Sequence, residues 1–166
     1  LAYHQGLFLK DHFPNGTGHN KSIRVDQTSY DAAVAELPLA AVKAFSIDDA
    51  GTTEIDDALS VTELADGSHR IGIHIAAPGL AIAKDDPLDQ LARQRMSTVY
   101  FPGDKITMLP DSVIKQFSLD QGAARPALSI YVDIDAAGVL NTDSLQMRAE
   151  MVPMVANLRL EDLEHL

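Results

Sequence analysis

Two short segments constrain this chain more tightly than any other part of it. Ala58-Leu-Ser-Val-Thr-Glu-Leu64 and His69-Arg-Ile-Gly-Ile-His-Ile-Ala76 are both rich in β-branched residues, and only Ala65-Asp-Gly-Ser68 separates them. An Asp-Gly pair between two such runs is turn chemistry, because glycine accepts the positive φ of a tight reversal. The pair predicts a β-hairpin.

The rest of the chain is read around it. Val42-Lys-Ala-Phe-Ser-Ile47 and Ala127-Leu-Ser-Ile-Tyr-Val-Asp-Ile134 have strand composition, and Ala136-Ala-Gly138 turns the second into a further strand near residues 145–151. A short helix is predicted from Ser29, as its N-cap, to Leu37-Pro38, since the residue before proline avoids the helical region. Residues 85–96 carry Leu88, Leu91, Ala92 and Met96 at helical spacing, with Pro87 tolerated in the first turn. Tyr3 to Asn20 reads as irregular structure, and Pro102, Gly103 and Pro110 as a loop. Strands outnumber helices without β-α alternation, so the fold class is α+β, or mixed α/β, with a largely antiparallel sheet and packed helices.

A length of 166 residues suits one domain. The first residue is Leu1, and the helix-prone stretch ending at Leu166 lacks a stop signal, so both ends read as cuts. No apolar run approaches the roughly 18 residues of a membrane span and no leader opens the chain, which makes no membrane contact and a cytoplasmic location the expectation. Without cysteine, oxygen and imidazole are the only ligands left for a metal. A formal net charge of -11 argues against gripping phosphates by bulk attraction, unless the acids gather around divalent ions and other segments carry the basic surface.

The acids do gather. Asp48, Asp49, Glu54, Asp56 and Asp57 fall within ten residues, at the predicted carboxyl end of a strand. Carboxylates this close raise one another's pKa unless a cation neutralises them, and oxygen donors suit magnesium, calcium or manganese. An EF-hand does not fit, because its glycine and glutamate positions counted from Asp48 hold Thr53 and Leu59. On spacing alone a solvated acidic loop is as good an account. Phe45, Ile47, Ile55 and Leu59 favour an anchored site, since a solvated loop has no need of an isoleucine between its acids.

Ser46-Ile-Asp-Asp-Ala-Gly-Thr-Thr-Glu-Ile-Asp-Asp-Ala-Leu-Ser60 resembles the signature of the ribonuclease II/R (RNB) catalytic domain. His74-Ile-Ala76, Arg95-Met-Ser-Thr-Val-Tyr-Phe-Pro-Gly103, Ile106-Thr-Met-Leu-Pro110, Ser118-Leu119 and Arg125-Pro-Ala-Leu-Ser129 follow in the family's order. The resemblance implies a lead-in at residues 1–41 and the amino-terminal half of such a domain at 42–166. It also implies magnesium-dependent (or manganese-dependent) 3′-to-5′ hydrolysis of single-stranded RNA to nucleoside 5′-monophosphates.

By the same resemblance Asp48, Asp56 and Asp57 are catalytic acids and metal ligands. Glu54 is a fourth ligand where the family usually has aspartate. Two ions roughly 4 Å apart would activate water and stabilise the leaving oxygen. Tyr100 corresponds to an aromatic that stacks on a base near the 3′ end. Arg95 and Arg125 are candidates for phosphate contacts, with pairing to surplus acids the equal alternative, and His74 reads as a core histidine. Flanking OB-type RNA-binding modules are expected as partners in the parent protein. Glu54, together with Ala77 in place of a frequent aspartate, supports the alternative of a catalytically silent RNA-binding or scaffold relative.

Overall fold

The predicted hairpin forms, and in the computed structural model, which describes residues 2–18 and 23–163, it is part of a closed barrel. Its strands are β2 (Asp57–Glu63) and β3 (His69–Ala76), paired antiparallel with Leu59 opposite Ile73. Strand β6 (Ala124–Ile134) pairs antiparallel with β3 and with the twenty-residue β7 (Leu140–Arg159). The far end of β7 then meets β1 (Ala44–Asp48) in parallel, and β1 meets β2 antiparallel, closing the ring. Four of the five pairings are antiparallel, and the closure removes the sheet's open edges.

Small inward residues make so narrow a barrel possible. Ala44, Ser46, Ala58, Ser60 and Ser129 are all buried at alternating strand positions. His74 fills the interior between two of them: its Nδ1 lies 2.8 Å from Ser129 Oγ and its Nε2 2.9 Å from Ser60 Oγ. Gly72 leaves the room for this, because a Cβ there would stand 2.4 Å from Ser60 Oγ and 2.9 Å from His74 Nε2. Tyr131 packs edge-on against His74 and donates to the buried Glu150 carboxylate at 2.5 Å. Burial, and then the hydrogen bond to Glu150, push the pKa of the Tyr131 phenol up to about 12.

Outside the barrel a second apolar core joins α3 (Pro87–Arg95) and α4 (Asp111–Phe117) through Leu88, Val113 and Phe117, with Tyr30 of α2 (Gln27–Ala35) packed on it. A two-residue reversal at Pro102-Gly103 joins β4 (Val99–Phe101) to β5 (Asp104–Ile106), with Gly103 at φ 82°. A short α5 (Leu160–Leu163) follows β7.

Three sequence expectations are corrected. Residues Ala2–His12 form a helix, α1, where irregular structure was expected: Phe8 packs on Phe13 and on Phe101 of β4, tertiary contacts that outweigh Gly6. The last two residues of that expected stretch, 19 and 20, lie outside the described residues. Helix α2 is capped by Asp26 rather than Ser29, whose own N–H and hydroxyl both donate to the Asp26 carboxylate. The loop through 102–110 contains the β4–β5 hairpin. Among the described residues no helix is long and apolar enough to cross a membrane.

Candidate active site

Strand β1 ends and β2 begins at the same end of the barrel, so the acidic segment between them folds back over that end. Ile55 anchors it. Its side chain is buried, its N–H donates to Ser118 Oγ at 3.1 Å, and its carbonyl accepts from Leu119 N–H at 2.9 Å. The segment just after α4 thereby clamps the isoleucine that separates Glu54 from Asp56, which is the anchored arrangement that the apolar bracketing implied.

Each acid is then held by a different partner. Asp48 and Ser46 lie on one face of β1, two residues apart. The Ser46 hydroxyl donates to Asp48 Oδ2 at 2.5 Å and itself accepts from Asn157 Nδ2, 2.9 Å away on the neighbouring β7. Glu54 is nearly buried and pairs at 2.9 Å with Lys105 Nζ, which also donates to Thr53 Oγ1 at 2.8 Å. Asp56 is tied through its carbonyl to Ala76 N–H at 2.8 Å. Asp57 opens β2 on the exposed side.

The electrostatics of the four groups are shared. The Asp56 carboxyl is pushed above the usual carboxylate range, first by partial desolvation where it lines the adjoining cavity, then by the charges of Glu54 and Asp57, with Lys105 opposing and Asp48 adding to the rise. Among the described residues, no three Asp, Glu or His side chains are grouped so as to hold one metal ion. Asp48 and Glu54 instead turn their oxygens to Ser46 and Lys105. The donor chemistry still fits a hard divalent cation: the four side chains offer only carboxylate oxygens, and of them Glu54 is the one paired with Lys105.

Two hollows adjoin the acids. One, of ≈ 270 Å³, is walled by Glu54 and Asp56 on one side and by Leu109, Val113 and Phe117 on the other. The second, of ≈ 720 Å³, runs from Asp49 and Glu54 to Tyr100 and Lys105 on the β4–β5 hairpin. Tyr100 is 69% exposed there.

Neither candidate arginine lines these two hollows. Arg95 Nη1 donates to the Thr107 carbonyl at 2.8 Å, and its Nη2 donates to the carbonyls of Thr17 at 2.8 Å and Gly18 at 3.3 Å, with the guanidinium over the Phe13 ring. Arg125 donates to the Gln116 carbonyl at 3.3 Å and faces Asp120 at 3.9 Å, while its Nε is buried with no hydrogen-bond partner among the described residues. Both hold chain segments together.

Lys105, Ser46 and Asn157 did not emerge from the sequence reading. The signal for Lys105 was the Pro-Gly reversal between two three-residue strands, which makes it the direct cross-strand neighbour of Tyr100.

A barrel sealed by one parallel pairing, with an acid-bearing loop over one end and helices packed beside it, defines a class of folds shared with known ribonucleases. The apo form of Mycoplasma genitalium RNase R superimposes with a TM-score of 0.79 over 98% of this chain and 26% of its own, at 16% identity. The yeast protein Ssd1, described as a pseudonuclease, does so with a TM-score of 0.75 over 92% of this chain and 19% of its own, at 21% identity. In sequence, Exoribonuclease 2 of Edwardsiella piscicida is 42% identical over 117 residues, 70% of this chain and 18% of that protein. The model of the RNB domain matches residues 37–164, and the chain belongs to that family. It spans about a quarter or less of the length of the curated relatives it matches.

Proposed function

We propose that this chain carries the acidic half of the active site of a hydrolytic 3′-to-5′ exoribonuclease, acting on single-stranded RNA and releasing nucleoside 5′-monophosphates. The observation that carries the reading is the placement of Asp48, Glu54, Asp56 and Asp57 over one barrel end, with Tyr100 exposed across the adjoining cleft. Asp48, Asp56 and Asp57, with Glu54, would hold magnesium, or manganese in its place, which supplies an activated water and charge stabilisation of the leaving 3′ oxygen. Ser46 and Asn157 orient Asp48, the Ile55 clamp fixes the spacing of Glu54 and Asp56, and Tyr100 offers a sequence-tolerant stacking face for a base.

The Mycoplasma RNase R has been solved with ribose-methylated single-stranded RNA and with double-stranded RNA, which supports an RNA ligand for the fold. OB-type modules flanking the domain in the parent protein would provide the basic surface that a net charge of -11 denies to this part. RNA turnover also makes the cytoplasm the proposed location.

The fold likeness to a pseudonuclease and the lack of a three-ligand group among the described residues favour one second reading, an RNA-binding relative without hydrolysis. The deciding experiment follows mononucleotide release from labelled single-stranded RNA by the intact protein in magnesium. Release that chelator abolishes, and that Asp56→Asn lowers by about 10³-fold or more, is expected. RNA binding without release would establish the silent reading.

A further inference from the structure

The β4–β5 hairpin has two unlike faces. Phe101 packs on Phe8 and Ile106 is buried, so one face is fixed against the protein. Tyr100 and Lys105 are direct partners in the ladder, and such partners project from the same face with Cβ atoms about 5 Å apart. That face lines the cleft beside the acids, where Asp49, Glu54 and Asp104 also contribute and Lys105 is the single basic residue.

We propose that Lys105 is a phosphate-contacting residue of this cleft, parked on Glu54 and Thr53 until an RNA strand enters; the inference rests on the RNA reading above. A strand whose base stacks on Tyr100 brings its phosphate past three carboxylates, and without divalent ions Lys105 is the one basic side chain lining the cleft that can offset that repulsion. Lys105 meets the need: its flexible four-carbon stem starts beside Tyr100, and 29% of its side chain remains exposed while paired with Glu54. The Lys105 ammonium has three N–H donors and two present partners, Thr53 Oγ1 and Glu54 Oε2, so a phosphate oxygen can take the third or replace Thr53 without stranding the nearly buried Glu54 carboxylate.

The test measures binding of labelled oligoadenylate and oligouridylate to the intact protein in chelator, across a range of potassium chloride concentrations. Each single-strand phosphate contact contributes about 0.7 to the slope of log K against log salt. Lys105→Gln is expected to weaken both RNAs alike and to flatten the slope by about 0.7, while Lys105→Arg retains it. An unchanged slope in Lys105→Gln overturns the proposal, because a residue that merely props Glu54 lowers stability or affinity without altering counterion release. Should Lys105→Gln fail to fold by thermal melting, a flattened slope in Lys105→Arg would overturn it equally, since the charge is still present. Wild-type protein that binds neither RNA sinks the RNA reading itself.

Discussion

The Ser46 hydroxyl donates to the Asp48 carboxylate at 2.5 Å and is itself held by Asn157. Asp48 is thus aimed by a neighbour two residues away on its own strand, which is in turn held by a residue 111 positions from it in sequence. Ser46→Ala should leave Asp48 in place but unaimed. The expected outcome is about tenfold weaker manganese binding, measured by calorimetry on the intact protein, in the range set by other supports of metal ligands. Loss of the buried hydrogen bonds should cost about 1–3 kcal/mol in urea unfolding. Unchanged metal affinity would show that Asp48 needs no support.

Tyr100 projects into the cleft and makes none of the buried contacts of its hairpin neighbour Ile106. Tyr100→Ala is expected to weaken single-stranded RNA by about 1–3 kcal/mol, roughly 5- to 150-fold, with no preference for base and little change in melting temperature. Tyr100→Phe should retain most of the affinity, since stacking needs the ring and not the hydroxyl. Equal affinity in Tyr100→Ala would remove the stacking role.

Arg95 should behave in the opposite way. Its donors are taken by the carbonyls of Thr107, Thr17 and Gly18, and burial holds its guanidinium below its ordinary value. Arg95→Met is expected to lower the melting temperature and leave the salt slope of RNA binding where it was. A flattened slope would make Arg95 a phosphate contact after all.

His74 predicts a pH dependence. Burial depresses its pKa below 6.5, with Glu150 opposing, so the folded barrel holds the imidazole neutral. Near pH 6.5 the unfolded chain binds a proton that the folded one does not. Stability is therefore fully present above pH 6.5 and is lost as pH falls toward the lowered folded value, by about 1.4 kcal/mol per unit between the two. Urea unfolding from pH 8 down to about 5 should show this fall in the wild type and a shallower one in His74→Gln, which is less stable at the upper end because it no longer bridges Ser60 and Ser129.

Local chemistry was legible from the residues alone. The Asp-Gly turn and its flanking β-branched runs specified the β2–β3 hairpin, and Ile55 among its acids marked a segment anchored to the core rather than dissolved in water. These signals span a few residues, and backbone sterics and side-chain burial act over that range.

Tertiary structure decided what depends on distant partners. Barrel closure by β7 against β1, the recruitment of Asn157 to Ser46, the capture of Glu54 by Lys105 and the withdrawal of Arg95 into carbonyl contacts all join residues far apart in the chain. A charge in a sequence announces only its sign. Whether it meets a carboxylate, a carbonyl or a phosphate is set by which strands lie side by side, because hydrogen bonds and ion pairs act over a few ångströms of space and not along the chain.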